Sequence, residues 1–297
     1  MIGEVITLHY KEVKGILSAK NGMNLYRGCT HGCIYCDSRS RCYQINHDFE
    51  DIEVKSNALL LLEKALGGKR KKCMIGTGAM TDPYIHLEQD LEHTRKSLAL
   101  IDKYKFGLAI QTKSDRILRD LDLLISINQK AKCVVQMTLT TYDESLSKII
   151  EPQVATTKQR FEILQTLKEN GIPTVVWLTP LLPYINDTEA NLRGILDYCI
   201  QAEVYGIICF GIGLTLREGN REYFYTKLDQ HFPGLRQRYH KKYGYQYIIT
   251  SDNNNKLMEI FFSKCRKHNI VSDNEQIFRY LNTFPDNKQS EQLKLFT

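Results

Sequence analysis

Hydrophobic positions along the chain follow two alternating periods. Short runs of apolar and β-branched residues at 22–27, 73–77, 106–112, 133–139, 173–179 and 206–210 read as strands. Between them apolar residues recur at helical spacing near 56–67, 87–103, 115–128, 156–170 and 187–203. Asp115, Thr156 and Asp187 stand where helix N-caps belong, and Gly171 before Pro173 reads as a helix stop. Six nearly continuous apolar strands, each joined to the next through a helix, predict a parallel sheet covered on its outer face. With right-handed crossovers that sheet is either open and doubly wound or a barrel-like (β/α)6 arrangement, and periodicity does not choose between them. Either way, functional residues belong on the loops that leave the C-terminal strand ends.

After residue 215 the alternation stops. Residues 216–247 interleave Arg217, Arg221, Lys227, Arg236, Arg238, Lys241 and Lys242 with eight Tyr or Phe and only three acidic groups, Glu218, Glu222 and Asp229. Helical patterns resume near 254–269 and 273–283. The expected organisation is an N-terminal segment 1–21, a core 22–215, a mostly helical C-terminal extension 216–285 and a flexible tail 286–297.

Composition narrows the class. With 297 residues and 42% hydrophobic content, the chain is neither disordered nor fibrous. Forty Lys+Arg against 34 Asp+Glu give a charge of +6, too mild to define a nucleic-acid binder. No run of uncharged apolar residues is long enough to span a membrane, and the N-terminus does not read as a secretory leader. Nine cysteines, an odd and uneven set, make a poor disulfide framework, so free thiols in a reducing cytoplasm are expected.

Three of those cysteines form Cys29-Thr-His-Gly-Cys33-Ile-Tyr-Cys36, a C-x3-C-x2-C run on a glycine-containing loop. Three thiolates this close can converge on one metal centre, zinc or an iron–sulfur cluster. Zinc would take His31 or His47 as fourth ligand, but a structural zinc site usually draws on a second short cysteine arm, which the sequence lacks. A four-iron cubane with three protein thiolates keeps one iron open. The spacing therefore favours a cluster over zinc, and zinc over coincidence.

With Tyr35 immediately before the last cysteine, this run resembles the signature of the radical S-adenosylmethionine superfamily. The wider stretch Asn24-Leu-Tyr-Arg-Gly-Cys-Thr-His-Gly-Cys-Ile-Tyr-Cys-Asp37 is similar to the branch containing spore photoproduct lyase. Gly76-Thr-Gly-Ala-Met-Thr-Asp-Pro-Tyr84, Thr112-Lys-Ser114 with Arg119-Asp-Leu, and Glu151-Pro152 with Arg160 resemble that branch's later motifs, in the same order. The resemblance implies a partial (β/α)6 barrel, a [4Fe–4S] cluster on Cys29, Cys33 and Cys36, and S-adenosylmethionine bound at the open iron. Reductive cleavage of that cofactor then yields a 5′-deoxyadenosyl radical for hydrogen abstraction, with flavodoxin or ferredoxin as the implied reductant.

The resemblance also assigns cofactor contacts. Gly76, Thr77, Gly78 and Thr81 would meet the methionine ammonium, Lys113 and Ser114 the carboxylate or ribose, and Thr138 and Thr140 the ribose. Tyr35 and Arg160 are further expected contacts, although an ion pair between Arg160 and Glu151 that braces a loop is an equal alternative. Asp82 and Tyr84 either cap the next helix or face the substrate. The branch's thiol hydrogen donor just ahead of this Asp is replaced by Ala79-Met80, which argues against faithful photoproduct reversal.

The resemblance, the basic aromatic segment 216–247 and the tail together suggest, as a secondary hypothesis, action on DNA, or after it RNA, for repair or modification of a lyase or transferase type. Alternatives are a radical enzyme acting on a peptide or small metabolite, and a non-enzymatic zinc-stabilised nucleic-acid module. The tail ends in Gln292-Leu293-Lys-Leu295-Phe296, similar to peptides that dock on the bacterial sliding clamp, with apolar side chains to plug a pocket. Capture of the clamp by the immobilised chain should be lost when Leu295 and Phe296 are both replaced by alanine; undiminished capture would refute the docking.

Overall fold

The computed structural model describes residues 7–285, and the clamp-like motif at Gln292, Leu293, Leu295 and Phe296 lies outside them. Strands β1 (Leu8–Lys11), β2 (Gly22–Met23) and β3 (Tyr26–Arg27) precede the cysteine loop; β4 (Ile52–Lys55) and α1 (Ala58–Gly68) follow it. The chain continues through β5 (Met74–Thr77), α2 (Glu88–Leu91), α3 (His93–Lys103), β6 (Gly107–Thr112), α4 (Leu121–Lys130) and β7 (Cys133–Thr138). Next come α5 (Glu144–Ile150), α6 (Thr157–Glu169), β8 (Thr174–Trp177), α7 (Glu189–Gln201) and β9 (Gly206–Ile208). Beyond them lie β10 (Gly213–Thr215), α8 (Asn220–His231), α9 (Leu235–Tyr243), β11 (Ile248–Thr250), α10 (Asn254–Lys267) and α11 (Asn274–Asn282). No helix among the described residues is long and apolar enough to cross a membrane.

Six strands form one parallel sheet in the order β2-β5-β6-β7-β8-β9. Because this order follows the chain without reversing, there is no doubly wound switch point, and the fold is the partial (β/α)6 barrel with a mostly helical extension. The convex face presents Ile75, Leu108, Ile110, Val135, Met137 and Val176 to Leu98, Ile101, Leu124, Ile163, Leu167 and Leu192 of the helices. On the concave side Met74, Ala109, Val134 and Val175, near the N-terminal strand ends, pack with Ile277 and Leu281 of α11. Apolar burial at that end leaves the polar positions Gln111, Gln136 and Thr138 toward the C-terminal strand ends, where ligands of such sheets bind.

Several elements depart from the sequence pattern. The expected strand 22–27 is split: Gly22–Met23 joins the barrel sheet, whereas Tyr26–Arg27 pairs antiparallel with β4 in a separate sheet of order β1-β4-β3. Met23, Leu25 and Tyr26 are all buried, which makes two strands look like one apolar run. The helix expected over 87–103 breaks at Glu92 (φ 52°), because the Glu88 carboxylate accepts from Thr94 N at 2.9 Å and caps a new helix. Thr156 does cap α6, with Gln159 completing a capping box, but the other caps fall one residue away, on Ser114 and Thr188. Helix α5 was not apparent from periodicity; Asp143 starts it by accepting from Leu146 N at 2.7 Å.

Candidate active site at the cysteine loop

Gly28 opens the cysteine loop with φ +86°, and a Cβ there would lie 2.5 Å from the Phe49 carbonyl oxygen, so only glycine admits this approach. Backbone hydrogen bonds then hold the loop on two sides. Cys29 N donates to Phe49 O at 2.9 Å, Ile34 N donates to Ile150 O at 3.0 Å, and His31 O accepts from Gln153 N at 3.3 Å. Cys29 and Cys33 are buried and Cys36 half-buried, all as free thiols. They line one cavity of about 170 Å³, together with Tyr35, Gly78, Asp82, Gln111, Lys113 and Thr138.

Each wall of this cavity has a physical cause. Gly78 follows β5 directly with φ +98°, and a Cβ would stand 2.0 Å from Gln111 O, so the strand exit closes directly on its neighbour. The Asp82 carboxylate accepts from Thr112 Oγ1 at 2.7 Å, Tyr84 N at 2.9 Å and Lys113 N at 2.8 Å, and faces His31 Nδ1 at 3.5 Å. It therefore ties the β5 exit, the β6 exit and the cysteine loop together. Tyr35 Oη donates to Glu151, Glu151 accepts from Arg160 Nη2, and Arg160 also donates to Thr138 O at 2.6 Å and Ala155 O at 2.8 Å. Glu151 and Arg160 are both buried, and they are each other's counter-ion.

Burial pushes the Cys29 thiol up to about 12 and raises that of Cys33 as well. Burial alone would lower the Lys113 ammonium, but neighbouring groups, the Glu151 carboxylate among them, outweigh it and raise it. Burial would likewise raise the Glu151 carboxyl, yet Arg160 and Lys113 hold it below the usual carboxylate range. A buried tyrosine beside that carboxylate stays protonated, as Tyr35 does.

The structure thus brings Tyr35, Gly78, Lys113 and Thr138 to the cysteines. Gly76 lies within β5, and the buried Thr77 is its last residue. Thr81 lines a neighbouring cavity with Tyr26, Arg27 and Lys55. The Ser114 hydroxyl accepts from Arg116 N at 3.2 Å as a helix cap, and Thr140 is fully buried. Tyr84 is buried and donates to Asp120 at 3.1 Å, and it is not among the residues that line the cysteine cavity. His47, considered as a fourth zinc ligand, instead packs edge-on against His9, with ring centroids 4.8 Å apart.

A second cavity of about 840 Å³ shares Tyr35 and Asp37 with the first. Its other walls are the β9 exit (Cys209, Phe210, Gly211), β10, β11 and Met258 and Phe262 of α10. Cys209, read from the sequence as packing only, lines this chamber. Of the basic and aromatic stretch 216–247, Phe224, Tyr225, Tyr239 and Tyr243 are buried in a core with Ile34 and Leu214. Several of its cations are engaged internally: Arg236 with Asp229 at 2.6 Å, Lys242 with Asp252, and Arg221 with three backbone carbonyls.

Replacing Glu151 with Gln should cost about 3–5 kcal/mol of stability, since it leaves the Arg160 charge buried without a counter-ion. The depressed carboxyl fixes the sign of its pH dependence. The pair stabilises the fold above the ordinary carboxylate pKa, and that contribution disappears only as pH falls through the lower folded-state value. Urea unfolding of both proteins across acid pH measures this; equal stability at neutral pH would refute the pairing.

The Radical SAM superfamily model matches residues 23–193. An uncharacterised protein of Methanocaldococcus jannaschii is 34% identical over 176 residues, covering 59% of this chain and 65% of that protein. An uncharacterised protein of Mycobacterium tuberculosis is 28% identical over 229 residues, 74% of this chain and 66% of its own length. The match therefore spans just under two thirds of these relatives. Among solved structures, spore photoproduct lyase complexed with dinucleoside spore photoproduct superposes with a TM-score of 0.62 at 14% identity, over 88% of this chain and 79% of that one. A cysteine triplet, a six-stranded parallel barrel and a family model covering more than half the sequence agree: the chain belongs to the radical S-adenosylmethionine superfamily, whose cofactors are a [4Fe–4S] cluster and S-adenosylmethionine.

Proposed function

We propose that the chain is an enzyme that applies S-adenosylmethionine radical chemistry to DNA. The observation that carries this reading is the shared wall of the two cavities: Tyr35 and Asp37 line both the cysteine cavity and a chamber of about 840 Å³, roomy enough for a nucleoside-sized group. Cys29, Cys33 and Cys36 hold the cluster, since three free thiols on one loop suit soft irons and leave one iron without a protein ligand. When bound, the cluster supplies the electron that splits the C5′–S bond of S-adenosylmethionine, giving the radical that abstracts hydrogen.

The chain's own residues bind and orient. Backbone groups from Gly76 to Gly78 serve the methionine ammonium, while Thr81 faces the neighbouring cavity. Lys113, whose charge is retained despite burial, serves the methionine carboxylate. Thr138 serves the ribose, while Ser114, Thr140 and Arg160 hold the strand ends that present these groups. The reductant is a flavodoxin or ferredoxin, and the compartment the cytoplasm.

Support for DNA comes from the chamber's rim. Phe210, an aromatic face on which bases stack, and Ile248, an apolar neighbour, are each 63% exposed, and Arg217 lies over the Tyr247 ring next in sequence to Ile248. The likeness in fold to a lyase complexed with a dinucleoside photoproduct points the same way. Because most cations of 216–247 are engaged within the fold, the rim rather than the basic helices makes the contact. Reduced, cluster-reconstituted protein given S-adenosylmethionine and oligonucleotides deuterated in the sugar and thymine methyl should form 5′-deoxyadenosine faster than without DNA and carry deuterium into it. Stimulation only by peptides or small metabolites would overturn the DNA reading.

A further inference from the structure

Outside the barrel, in the three-stranded sheet, one donor atom from each of His9, His47 and Glu53 lies within 4.8 Å of the other two. His9 and Glu53 are direct partners in the parallel β1–β4 pair, and His47 comes from the loop between β3 and β4. The two imidazoles are fixed in the same tautomer. His9 Nδ1 lies 3.1 Å from Asp51 Oδ2, and His47 Nδ1 lies 2.9 Å from the Asp48 carbonyl oxygen. A carboxylate and a carbonyl only accept, so in each neutral imidazole Nδ1 carries the proton and Nε2 keeps a lone pair. His47 Nε2 is buried with no hydrogen-bond partner among the described residues. A buried acceptor without a partner is costly, and here the His47 ring stands against a second imidazole, with one of its nitrogens within 4.8 Å of the buried Glu53 carboxylate.

We propose that His9, His47 and Glu53 form a second metal site, which takes a divalent ion of the zinc class. Two neutral imidazoles and one carboxylate make a borderline donor set, which suits zinc better than the all-oxygen shells calcium and magnesium prefer. Asp51 and the Asp48 carbonyl supply the outer hydrogen bonds that orient metal-bound histidines. Tetrahedral ligands about 2.0–2.1 Å from zinc stand roughly 3.3–3.4 Å apart, so separations of up to 4.8 Å close by as much as about 1.5 Å on binding. The His9 side chain is 40% exposed and free to make that adjustment. Lys11, which donates to Glu53 at 3.0 Å, opposes a cation, but its side chain is 56% exposed and screened by solvent. The ion would tie β1 to the 44–51 loop, whose Phe49 carbonyl receives Cys29 N–H, and so brace the cysteine loop from outside.

The full chain, with its cluster reconstituted and then dialysed against a chelator, is loaded with zinc and assayed for zinc and iron content and zinc-edge X-ray absorption. About one zinc per chain with only nitrogen and oxygen neighbours, near 2.0–2.1 Å, is expected. His47→Ala and the near-isosteric Glu53→Gln should each lose the zinc and keep the iron, and Asp51→Asn should weaken zinc binding about 10–100-fold. Sulfur scattering near 2.3 Å would place the zinc in the cysteine loop and overturn the proposal. Zinc held equally by both variants, or not held by the unmodified chain, would also overturn it.

Discussion

The charge of Arg160 has no access to water, and the cysteine loop takes its position from how that charge is satisfied. A guanidinium at 0% exposure is tolerable only with a counter-ion and filled hydrogen bonds. Glu151 provides the first; the carbonyls of Thr138 and Ala155 provide the rest. The second oxygen of Glu151 accepts from Tyr35, the residue between Cys33 and Cys36. A chain of contacts from α6 through the end of α5 thus ends on the cysteine loop, next to the β7 exit. The alternative of an ion pair that braces a loop is the arrangement observed, with the difference that the loop it braces is the cysteine loop itself.

A second buried network does similar work behind the β5 and β6 ends. Glu88 and Asp120 are both fully buried; Arg119 donates to each, at 3.0 and 2.9 Å, and Arg95 donates to Asp120 at 3.0 Å. Tyr26, just ahead of the cysteines, donates to Glu88, and Tyr84 donates to Asp120. Much of what resembles family motifs in this sequence is therefore polar scaffolding. These residues fix the backbone from which Gly78, Lys113 and the cysteines reach the cavity, and do not themselves line it.

The barrel was legible because its strands are covered on the convex face and so read as unbroken apolar runs; only the split at Leu25 escaped, since burial continues across the switch between sheets. Helix breaks escaped where a side chain, such as the Glu88 carboxylate, competes with helical hydrogen bonding, which periodicity does not register. The cysteine triplet was legible from spacing alone. The larger chamber was not, because its walls come from 209–215, 248–250 and 254–262, and β10 and β11 meet only through a pairing that spans some thirty residues. Tyr84, Asp82 and Arg160 were recognisable as motif positions, but their partners, Asp120, Thr112 and Glu151, had to be seen to know that they hold the site.

The central claim is that the braced loop presents three thiolates and leaves one iron for S-adenosylmethionine. Electron paramagnetic resonance of the reduced, reconstituted chain tests it most directly, recorded with and without the cofactor. About four irons per chain and a cluster signal whose g-values shift on adding S-adenosylmethionine are the expected result. A signal unchanged by the cofactor, or a cysteine loop that holds zinc and no iron, would contradict the account.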